Sequence, residues 1–230
     1  MAELEIALRQ SVIDIFAAFM LASMLALPSL ADESRVTIVL IGDSYISSYG
    51  VTKDDRFEVK LGEALNAAGE PVDVIGTGYT STAVSGAKLL DGLMKNPDYL
   101  GTPSMHAAII ELGQNDCGRW TLDETRAALD SMLAHLAQAQ IPVLVVGTAP
   151  YDICERLPSR PNYNALYAQM FADLASKYGD LYYRDFKDGV TGNLNLLQGD
   201  RDHPNAKGDA VIVALMLPIV KELVARVTGP

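Results

Sequence analysis

Five short apolar runs, separated by stretches with helical periodicity, constrain the fold of this chain more than any other feature. The first run, VTIVLIG (36–42), is β-branched and unbroken, which is typical of a strand buried on both faces. Strands and helices in alternation favour a parallel sheet with helices on both sides. We therefore predict a three-layer α/β/α sandwich with a five-stranded parallel sheet. The predicted strands are 36–42, 72–76, 106–113, 141–148 and 181–185, and the predicted helices are 55–68, 84–95, 122–139, 161–178 and 206–227.

Local signals mark two of the helix ends. Thr121 and Glu124 have the spacing of a capping box, which opens the third predicted helix, and Gly69 ends the first. No internal repeat or linker interrupts residues 36–227. A chain of 230 residues that is 49% hydrophobic is expected to bury one core, so we predict a single domain over 32–230.

The charge of the chain excludes some classes of partner. Its formal net charge is −11 and its pI is about 4.6, so it repels phosphate backbones and anionic lipid surfaces. No cluster of lysine and arginine overrides this locally. We expect no nucleic-acid partner, and the sequence leaves the oligomeric state open.

The N-terminal segment differs from the rest of the chain. Residues 15–31 carry no charge, and Ser29 and Ala31 fit the small residues of a signal-peptidase site. We predict that residues 1–31 are a signal peptide cleaved after Ala31, which makes the protein periplasmic or secreted with no stable membrane insertion afterwards. Its first ten residues contain two glutamates where a basic region is expected. An uncleaved membrane anchor and an amphipathic extra helix are the alternatives.

Small and polar residues follow three of the predicted strands. They are GDS (42–44) after the first, GTGYTSTAVSG (76–86) after the second and GQND (113–116) after the third, and GDRDHPN (199–205) precedes the last helix. The carboxyl ends of parallel strands share one edge of the sheet, where ligands of such proteins bind. We therefore expect these segments to converge on one cleft.

Ser44 is either a helix cap or a nucleophile. A serine hydroxyl needs a base to become nucleophilic at neutral pH. Of the three histidines, His106 begins a predicted strand and therefore lies at the far edge of the sheet, while His135 lies on the solvated face of a helix. His203 alone lies in a loop among carboxylates, so it is the candidate base.

Two aspartates accompany His203. Asp200 precedes it by three residues and can reach back to the imidazole Nδ1, which would fix the tautomer. Asp202 is adjacent in sequence and points elsewhere in most turns. We expect Asp202 to cap the last helix or to remain a solvated charge.

The four polar segments, in this order, resemble the blocks of the SGNH hydrolases, also called GDSL esterases. IGDSYISSYG and ELGQNDCGR are most similar to the exported bacterial branch with thioesterase, lysophospholipase and arylesterase activities. The resemblance covers residues 36–226. It implies a flavodoxin-like strand order, hydrolysis of a small-molecule carboxylic ester or thioester through an acyl-enzyme, and no metal or organic cofactor.

The resemblance also implies roles for individual residues. Ser44 would be the nucleophile, His203 the general base and then acid, and Asp200 the orienting carboxylate. Asp43 and Asp116 are expected to brace their turns through local hydrogen bonds rather than transfer protons.

The oxyanion hole implied by the resemblance has three donors: the Ser44 backbone N–H, a backbone N–H of the second block and the Asn115 side-chain amide. An alignment without gaps puts Ser81 at the second position, where the family has glycine, whereas a small shift puts Gly78 there. Tyr45 is a second departure, since it replaces the leucine of the first block. We expect it to change packing beside the nucleophile more than chemistry.

The two cysteines are too few and too far apart for a zinc site. Cys117 and Cys154 each lie just beyond the carboxyl end of neighbouring predicted strands. We predict that they form a disulfide that bridges two loops at the mouth of the cleft, as an oxidising compartment would permit. The alternative is two unpaired small apolar residues.

Two other functions fit some of the same residues. One alternative is that aspartates near one edge of the sheet hold Mg²⁺ in a phosphoesterase, although no paired-aspartate signature follows the first strand. A non-catalytic protein that binds acyl ligands on the same scaffold is the other alternative. The aspartates of the metal hypothesis are Asp43, Asp116, Asp200 and Asp202.

Overall fold

The computed structural model describes residues 35–96, 105–149, 154 and 162–229. Each predicted strand and helix is present, and most ends agree within two residues. The strands are β1 Val36–Gly42, β2 Val72–Tyr79, β3 Ala107–Glu111, β4 Val143–Val146 and β5 Leu181–Tyr183. The α-helices are α1 Phe57–Ala67, α2 Ala83–Lys95, α3 Leu122–Gln138, α4 Tyr163–Tyr178 and α5 Ala206–Thr228.

The five strands form one parallel sheet in the order β2-β1-β3-β4-β5. This order confirms the predicted flavodoxin-like fold. The chain moves outward from β1 to β2 and then crosses back to β3 on the other side of β1. A cleft for ligands is expected at such a reversal, at the carboxyl ends of the strands. The turns after β1 and β3 are therefore the first places to look for a site.

Helices cover both faces of the sheet and give the predicted three layers. Leu40 of β1 packs in one core cluster with α1 and α5, while Ile41 packs in the other with α2, α3 and α4. Successive residues of a strand point to opposite faces, so a continuous apolar run supplies both cores. Each fully buried aliphatic side chain contributes about 1.5–3 kcal/mol to folding.

The helix ends have specific caps. The predicted capping box of Thr121 and Glu124 opens α3, with each side chain bonded to the backbone N–H of the other residue. Thr82 opens α2 in the same way. Asn205 caps α5, because its side-chain oxygen accepts hydrogen bonds from the N–H groups of residues 207 and 208. Gly69 follows α1 at a positive φ of 85°, as its predicted role requires.

Strand β2 is longer than predicted. It continues past Gly76 to Tyr79 because the register shifts near the end of β1 and brings Tyr79 opposite Gly42. The Thr77 hydroxyl also donates to the Leu40 carbonyl at 3.0 Å. This extension carries the second polar segment alongside the end of β1.

The predicted signal peptide, residues 1–31, lies outside the described residues. Among the helices that the structure describes, none combines the length and the apolar run needed to cross a bilayer. The longest of them, α5, spans 23 residues but includes several charged side chains.

Candidate active site

Ser44 lies on a tight turn directly after the buried strand β1. The turn is closed by backbone hydrogen bonds from Ser47 to Asp43 at 3.2 Å and from Tyr49 to Ser44 at 2.9 Å. Gly42 permits the close approach, since a Cβ there would lie 2.1 Å from a methyl of Ile46. Ser44 is only 9% exposed to solvent, so its hydroxyl is held at the carboxyl edge of the sheet with little conformational freedom.

His203 reaches Ser44 from a turn 159 residues later in the chain. Its Nε2 lies 2.8 Å from the Ser44 Oγ, and its Nδ1 lies 2.7 Å from Oδ2 of Asp200. An ionised Asp200 holds the proton on Nδ1, which leaves Nε2 to accept the serine proton. The three residues that the sequence singled out are thus brought together in one hydrogen-bonded line.

Asp200 is itself held in place by the backbone. Its Oδ1 accepts the N–H groups of Asp202 at 3.0 Å and of His203 at 3.1 Å. Burial raises the pKa of Asp200, but these two hydrogen bonds and the imidazole together lower the pKa below its usual value. The carboxylate therefore stays ionised at neutral pH and orients the imidazole.

The other two histidines lie away from Ser44, as predicted. His135 is exposed on α3. His106 precedes β3, where its Nδ1 accepts the N–H of Thr37 at 2.9 Å, at the opposite edge of the sheet. His203 is the histidine that contacts Ser44.

Two further candidate residues flank Ser44. Asn115 lies on the short 3₁₀ turn Gln114–Asp116 after β3, and its side-chain amide donates to Oδ2 of Asp43 at 3.1 Å. Ser81 directly precedes Thr82, the N-cap of α2, and the N–H of its other neighbour Thr80 donates to the Gly42 carbonyl at 2.9 Å. The turns that carry Asn115 and Ser81 are therefore both bonded to the segment that carries Ser44. Gly78, the alternative to Ser81, is exposed and has a φ of 77°.

Asp43 and Asp116 hold the turns together. Oδ1 of Asp43 accepts the N–H of Tyr45 at 3.0 Å. Asp116 accepts the N–H of Ala83 and the hydroxyl of Thr125, both at 3.0 Å, so it joins α2 to α3. These contacts agree with the bracing role expected from the sequence.

A second buried carboxyl lies beside Asp43. Glu111 ends β3 and is completely buried, and burial together with the nearby Asp43 raises its pKa well above the usual value. Burial also raises the pKa of Asp43, to about 6. Two buried carboxyl groups in contact disfavour the doubly ionised form, so the pair holds on to a proton more strongly than an exposed carboxyl group does.

The expectation that Asp202 caps the last helix or remains a solvated charge was wrong. Asn205 is the cap of α5, and Oδ1 of Asp202 instead accepts the Tyr45 hydroxyl at 2.6 Å and the Lys187 ammonium at 2.7 Å. Tyr45 packs beside the site as expected, since it is fully buried with its ring against Phe186 and His203, and its hydroxyl also joins this group. No local pattern singled out Lys187, which lies 142 residues from Tyr45 and contacts it only in the folded chain.

Cys117 and Cys154 are joined in a disulfide, with their Cα atoms 5.9 Å apart. Cys117 follows the 3₁₀ turn that carries Asn115, and Cys154 is buried against the α2–α4 side of the sheet. The bridge ties the segment beyond β3 to the segment beyond β4, where the sequence predicted it.

The aspartates of the metal hypothesis are engaged elsewhere. Asp43 and Asp116 brace backbone turns, Asp200 holds the imidazole and Asp202 pairs with Lys187. Across the described ranges, no group of three or more His, Cys, Asp or Glu side chains is arranged to hold a metal ion. The arrangement thus fits nucleophilic chemistry better than Mg²⁺-dependent phosphoester hydrolysis.

Comparisons with known proteins agree with this geometry. Residues 40–211 match the GDSL-like Lipase/Acylhydrolase family. Esterase TesA of Pseudomonas aeruginosa is 26% identical over 218 residues, which are 90% of this chain and 98% of TesA. AlinE4, described as an SGNH-hydrolase family esterase, is 26% identical, and its structure superposes with a TM-score of 0.65. The match covers 84% of this chain and 98% of the AlinE4 chain.

A more distant structure supports the fold alone. The psychrotrophic esterase EstA from Pseudoalteromonas sp. is 20% identical, with a TM-score of 0.70. The match covers 81% of this chain and 97% of the EstA chain. The family match spans well over half of the chain and includes both Ser44 and His203. The chain therefore belongs to the GDSL-like lipase/acylhydrolase family and is a carboxylic ester hydrolase of the SGNH type.

Proposed function

We propose that the protein hydrolyses carboxylic esters or thioesters through an acyl-enzyme at Ser44, with arylesterase, acyl thioesterase or lysophospholipase-like specificity. The observation that carries this proposal is the line of two short hydrogen bonds, 2.7 Å from Asp200 to His203 and 2.8 Å from His203 to Ser44. A base within this distance of a hydroxyl is positioned to take its proton.

In the first half of the reaction, Oγ of Ser44 attacks the carbonyl carbon while Nε2 of His203 takes the hydroxyl proton. The carbonyl π electrons move to the oxygen and form a tetrahedral oxyanion. When the oxyanion collapses, the bond to the alcohol or thiol breaks, and His203 returns its proton to the leaving group. Asp200 stabilises the imidazolium between these two steps.

In the second half, water replaces the leaving group. His203 takes a proton from the water, whose oxygen attacks the acyl carbon. The second tetrahedral intermediate releases the carboxylic acid, and the proton returns to Oγ of Ser44. The net reaction consumes one water and restores the enzyme.

We assign the oxyanion donors to the backbone N–H groups of Ser44 and Ser81 and to the side-chain amide of Asn115. Each such donor contributes about 3 kcal/mol to transition-state stabilisation. Ser81 is favoured over Gly78 because it directly follows Thr80, whose N–H is bonded to Gly42. The Ser81 hydroxyl lies 3.4 Å from that of Ser85, on the side of α2.

Exposed aromatic rings support an acyl or aryl ligand. Tyr49 is 63% exposed, and its ring centroid lies 5.3 Å from that of His203. Tyr79, at the end of β2, is 59% exposed. The Tyr49 ring beside the base offers an apolar surface on which a substrate group can pack.

The test is a panel of p-nitrophenyl esters and acyl thioesters graded by chain length, assayed with wild type and Ser44→Ala. We expect wild type to turn over short esters and Ser44→Ala to lose at least about 10³-fold in kcat. Ser47→Ala, a serine in the same turn, is the matched control. A serine-directed organophosphonate should label wild type once, and EDTA should have no effect. Acyl-ligand binding without turnover would instead support the binding-protein alternative, and loss of activity in EDTA would support the phosphoesterase.

We further propose that the protein is exported, with cleavage after Ala31. The uncharged run 15–31, the small residues at its end and the disulfide support this. Expression of the full chain in a bacterial host should yield periplasmic protein that begins at Asp32, and Ala31→Leu should block processing. Recovery of the wild-type chain in the cytoplasm with an intact N-terminus would contradict export.

A further inference from the structure

The residues next to Ser44 and His203 are bonded to each other. Ser44 Oγ lies 2.8 Å from His203 Nε2, and the hydroxyl of the following residue, Tyr45, lies 2.6 Å from Oδ1 of Asp202, which precedes the histidine. The two turns therefore meet at two adjacent points. A third contact, from the Gln198 side chain to the Tyr49 carbonyl at 2.5 Å, joins the same turns further along.

Lys187 completes the second of these contacts. It comes from the turn after β5, and its ammonium lies 2.7 Å from Oδ1 of Asp202 and 2.6 Å from the Tyr45 hydroxyl. The same ammonium lies 4.5 Å from the centroid of the Tyr45 ring. The Gln114 side chain, from the turn that holds Asn115, also donates to the Tyr45 hydroxyl. Three separate turns of the site thus converge on one phenol.

The phenol is a donor to Asp202 and an acceptor from Lys187 and Gln114. Burial, followed by the hydrogen bond to Asp202, raises the pKa of Tyr45 well above its usual value, so the hydroxyl keeps its proton. The Lys187 side chain is only 11% exposed. The Asp202 side chain is 30% exposed, so the pair is partly shielded from water and less screened than most surface pairs.

Without Lys187, Asp202 would be a second unbalanced carboxylate next to the imidazole. Asp200 already supplies the negative charge that orients it. The Lys187 ammonium cancels the charge of Asp202. Asp200, Tyr45 and Tyr49 contact the His203 ring, and Asp43 interacts with it electrostatically. Asp202 and Lys187 are bonded to the Tyr45 hydroxyl, on the residue whose ring packs against the imidazole.

We propose that Tyr45, Asp202 and Lys187 are positioning residues that hold the His203 turn over Ser44 as a charge-neutral clamp. The proposal rests on the proposed function of Ser44 and His203. A clamp of this kind fixes the distance between base and nucleophile while leaving the imidazole with one effective carboxylate partner. The same three contacts would also stabilise the fold, so the test needs a readout that stability alone does not change.

That readout is the acid limb of the pH profile of kcat/KM, which reports protonation of the base in the free enzyme. Lys187→Met leaves Asp202 uncompensated, which favours the imidazolium, so the limb should move to higher pH. Asp202→Asn leaves Lys187 uncompensated, so the limb should move to lower pH. Each shift should be at least about half a pH unit. The double variant Lys187→Met with Asp202→Asn should have its acid limb close to that of wild type. Tyr45→Phe retains every charge, so the limb should stay in place while kcat falls by about tenfold at unchanged KM.

The chain contains a matched control. On α3 and α4, Lys177 lies 2.6 Å from Asp130, the Tyr178 hydroxyl lies 2.8 Å from the same carboxylate, and the ammonium lies 4.8 Å from the Tyr178 ring centroid. This is the same trio of residue types on helices that carry none of the site residues. Lys177→Met and Asp130→Asn should leave both kcat and the pH profile unchanged.

The outcomes separate the two proposals. If wild type has no esterase activity, or Ser44→Ala retains it, the proposed function fails first. The clamp is overturned if wild type is active but the folded variants Lys187→Met and Asp202→Asn have the pH profile of wild type. It is also overturned if both variants shift the acid limb in the same direction. Either single variant that folds is sufficient, because each predicted sign is fixed in advance. If neither folds, Tyr45→Phe decides: full kcat contradicts the clamp and a tenfold loss at unchanged KM supports it.

Discussion

The side-chain amide of Asn115 donates a hydrogen bond to Oδ2 of Asp43 at 3.1 Å, and this contact joins the turn after β3 to the turn that carries Ser44. The other carboxylate oxygen of Asp43 accepts the N–H of Tyr45. The backbone of its own turn therefore fixes the Asp43 carboxylate, and the carboxylate fixes the plane of the Asn115 amide. A donor held in this way needs no reorganisation when negative charge develops on a substrate oxygen.

Replacement of Asn115 by alanine tests this arrangement. We expect kcat to fall by about 10²–10³-fold with KM nearly unchanged, because the lost donor acts mainly on the transition state. Asp43→Asn retains Asn115 but removes the ionic acceptor, and we expect a smaller loss of about tenfold. Steady-state kinetics on a short p-nitrophenyl ester measure both. An Asn115→Ala variant that keeps more than about a tenth of wild-type kcat would exclude an oxyanion role for the amide.

The sequence predicted the fold and the Asp200, His203 and Ser44 line because both depend on local patterns. Apolar runs of strand length identify the sheet, and polar residues at the ends of parallel strands share an edge whatever the details of packing. The carboxyl end of β2 was not predicted by this reasoning. Its extension to Tyr79 depends on a register shift in β1, which is a property of the pair of strands.

The clamp around Tyr45 was not predictable for a related reason. Lys187 and Asp202 look like ordinary surface charges in sequence, and their contacts with Tyr45 depend on turns that meet only in the folded chain. Two signals were nevertheless present. A tyrosine replaced leucine beside the nucleophile, and a second aspartate adjoined the histidine. The Tyr45 hydroxyl follows the nucleophile and the Asp202 carboxylate precedes the base. Because these two turns contact each other, the two groups are placed to form a hydrogen bond.

The disulfide should contribute to stability. It closes a loop between residues 37 positions apart, for which chain entropy gives about 3–4 kcal/mol. We expect the Cys117→Ser and Cys154→Ser double variant to lose an amount of this order in urea unfolding. Wild type treated with a reductant should unfold at the same urea concentration as the double variant. Two alkylatable thiols in untreated exported protein would show that the bridge does not form.

Asp209 should make stability depend on pH. It is fully buried in the first turn of α5, and burial raises its pKa to about 7, an effect that the Ser48 hydroxyl and Lys60 only partly offset. A carboxyl whose folded pKa is raised favours the folded state in its protonated form. The loss of folding stability caused by ionising Asp209 is therefore absent below about pH 4. It grows between about pH 4 and 7 and reaches its full size above that range.

Asp209→Asn removes this cost. The variant should match wild type in urea unfolding near pH 4 and exceed its free energy of unfolding by on the order of 3 kcal/mol near pH 8. Asp123→Asn, at an exposed position of α3, is the control and should show no comparable pH-dependent gain. A stability difference for Asp209→Asn that is constant across this range would contradict the assignment.

Gly42 should tolerate no side chain, because it ends a strand that is buried along its whole length. A Cβ there would lie 2.1 Å from Cγ2 of Ile46 and 2.8 Å from the Glu111 carbonyl oxygen. The Ile46 methyl can rotate away, but the Glu111 carbonyl belongs to β3 and accepts the N–H of Asp43, so it cannot move without opening the turn before Ser44. We expect Gly42→Ala to lose about 1–3 kcal/mol in urea unfolding and most of its kcat.

Gly92→Ala is the matched control for this substitution. Gly92 lies inside α2 with open space around its Cα, so alanine there should stabilise the protein by about 0.5–1 kcal/mol and leave kcat unchanged. A double variant, Gly42→Ala with Ile46→Ala, removes the first clash and keeps the second. If it recovers stability but not kcat, the contact with the β3 carbonyl is what positions the serine turn. Wild-type kcat in Gly42→Ala would mean that the turn adapts, and the close approach of β1 and β3 would then not be required for catalysis.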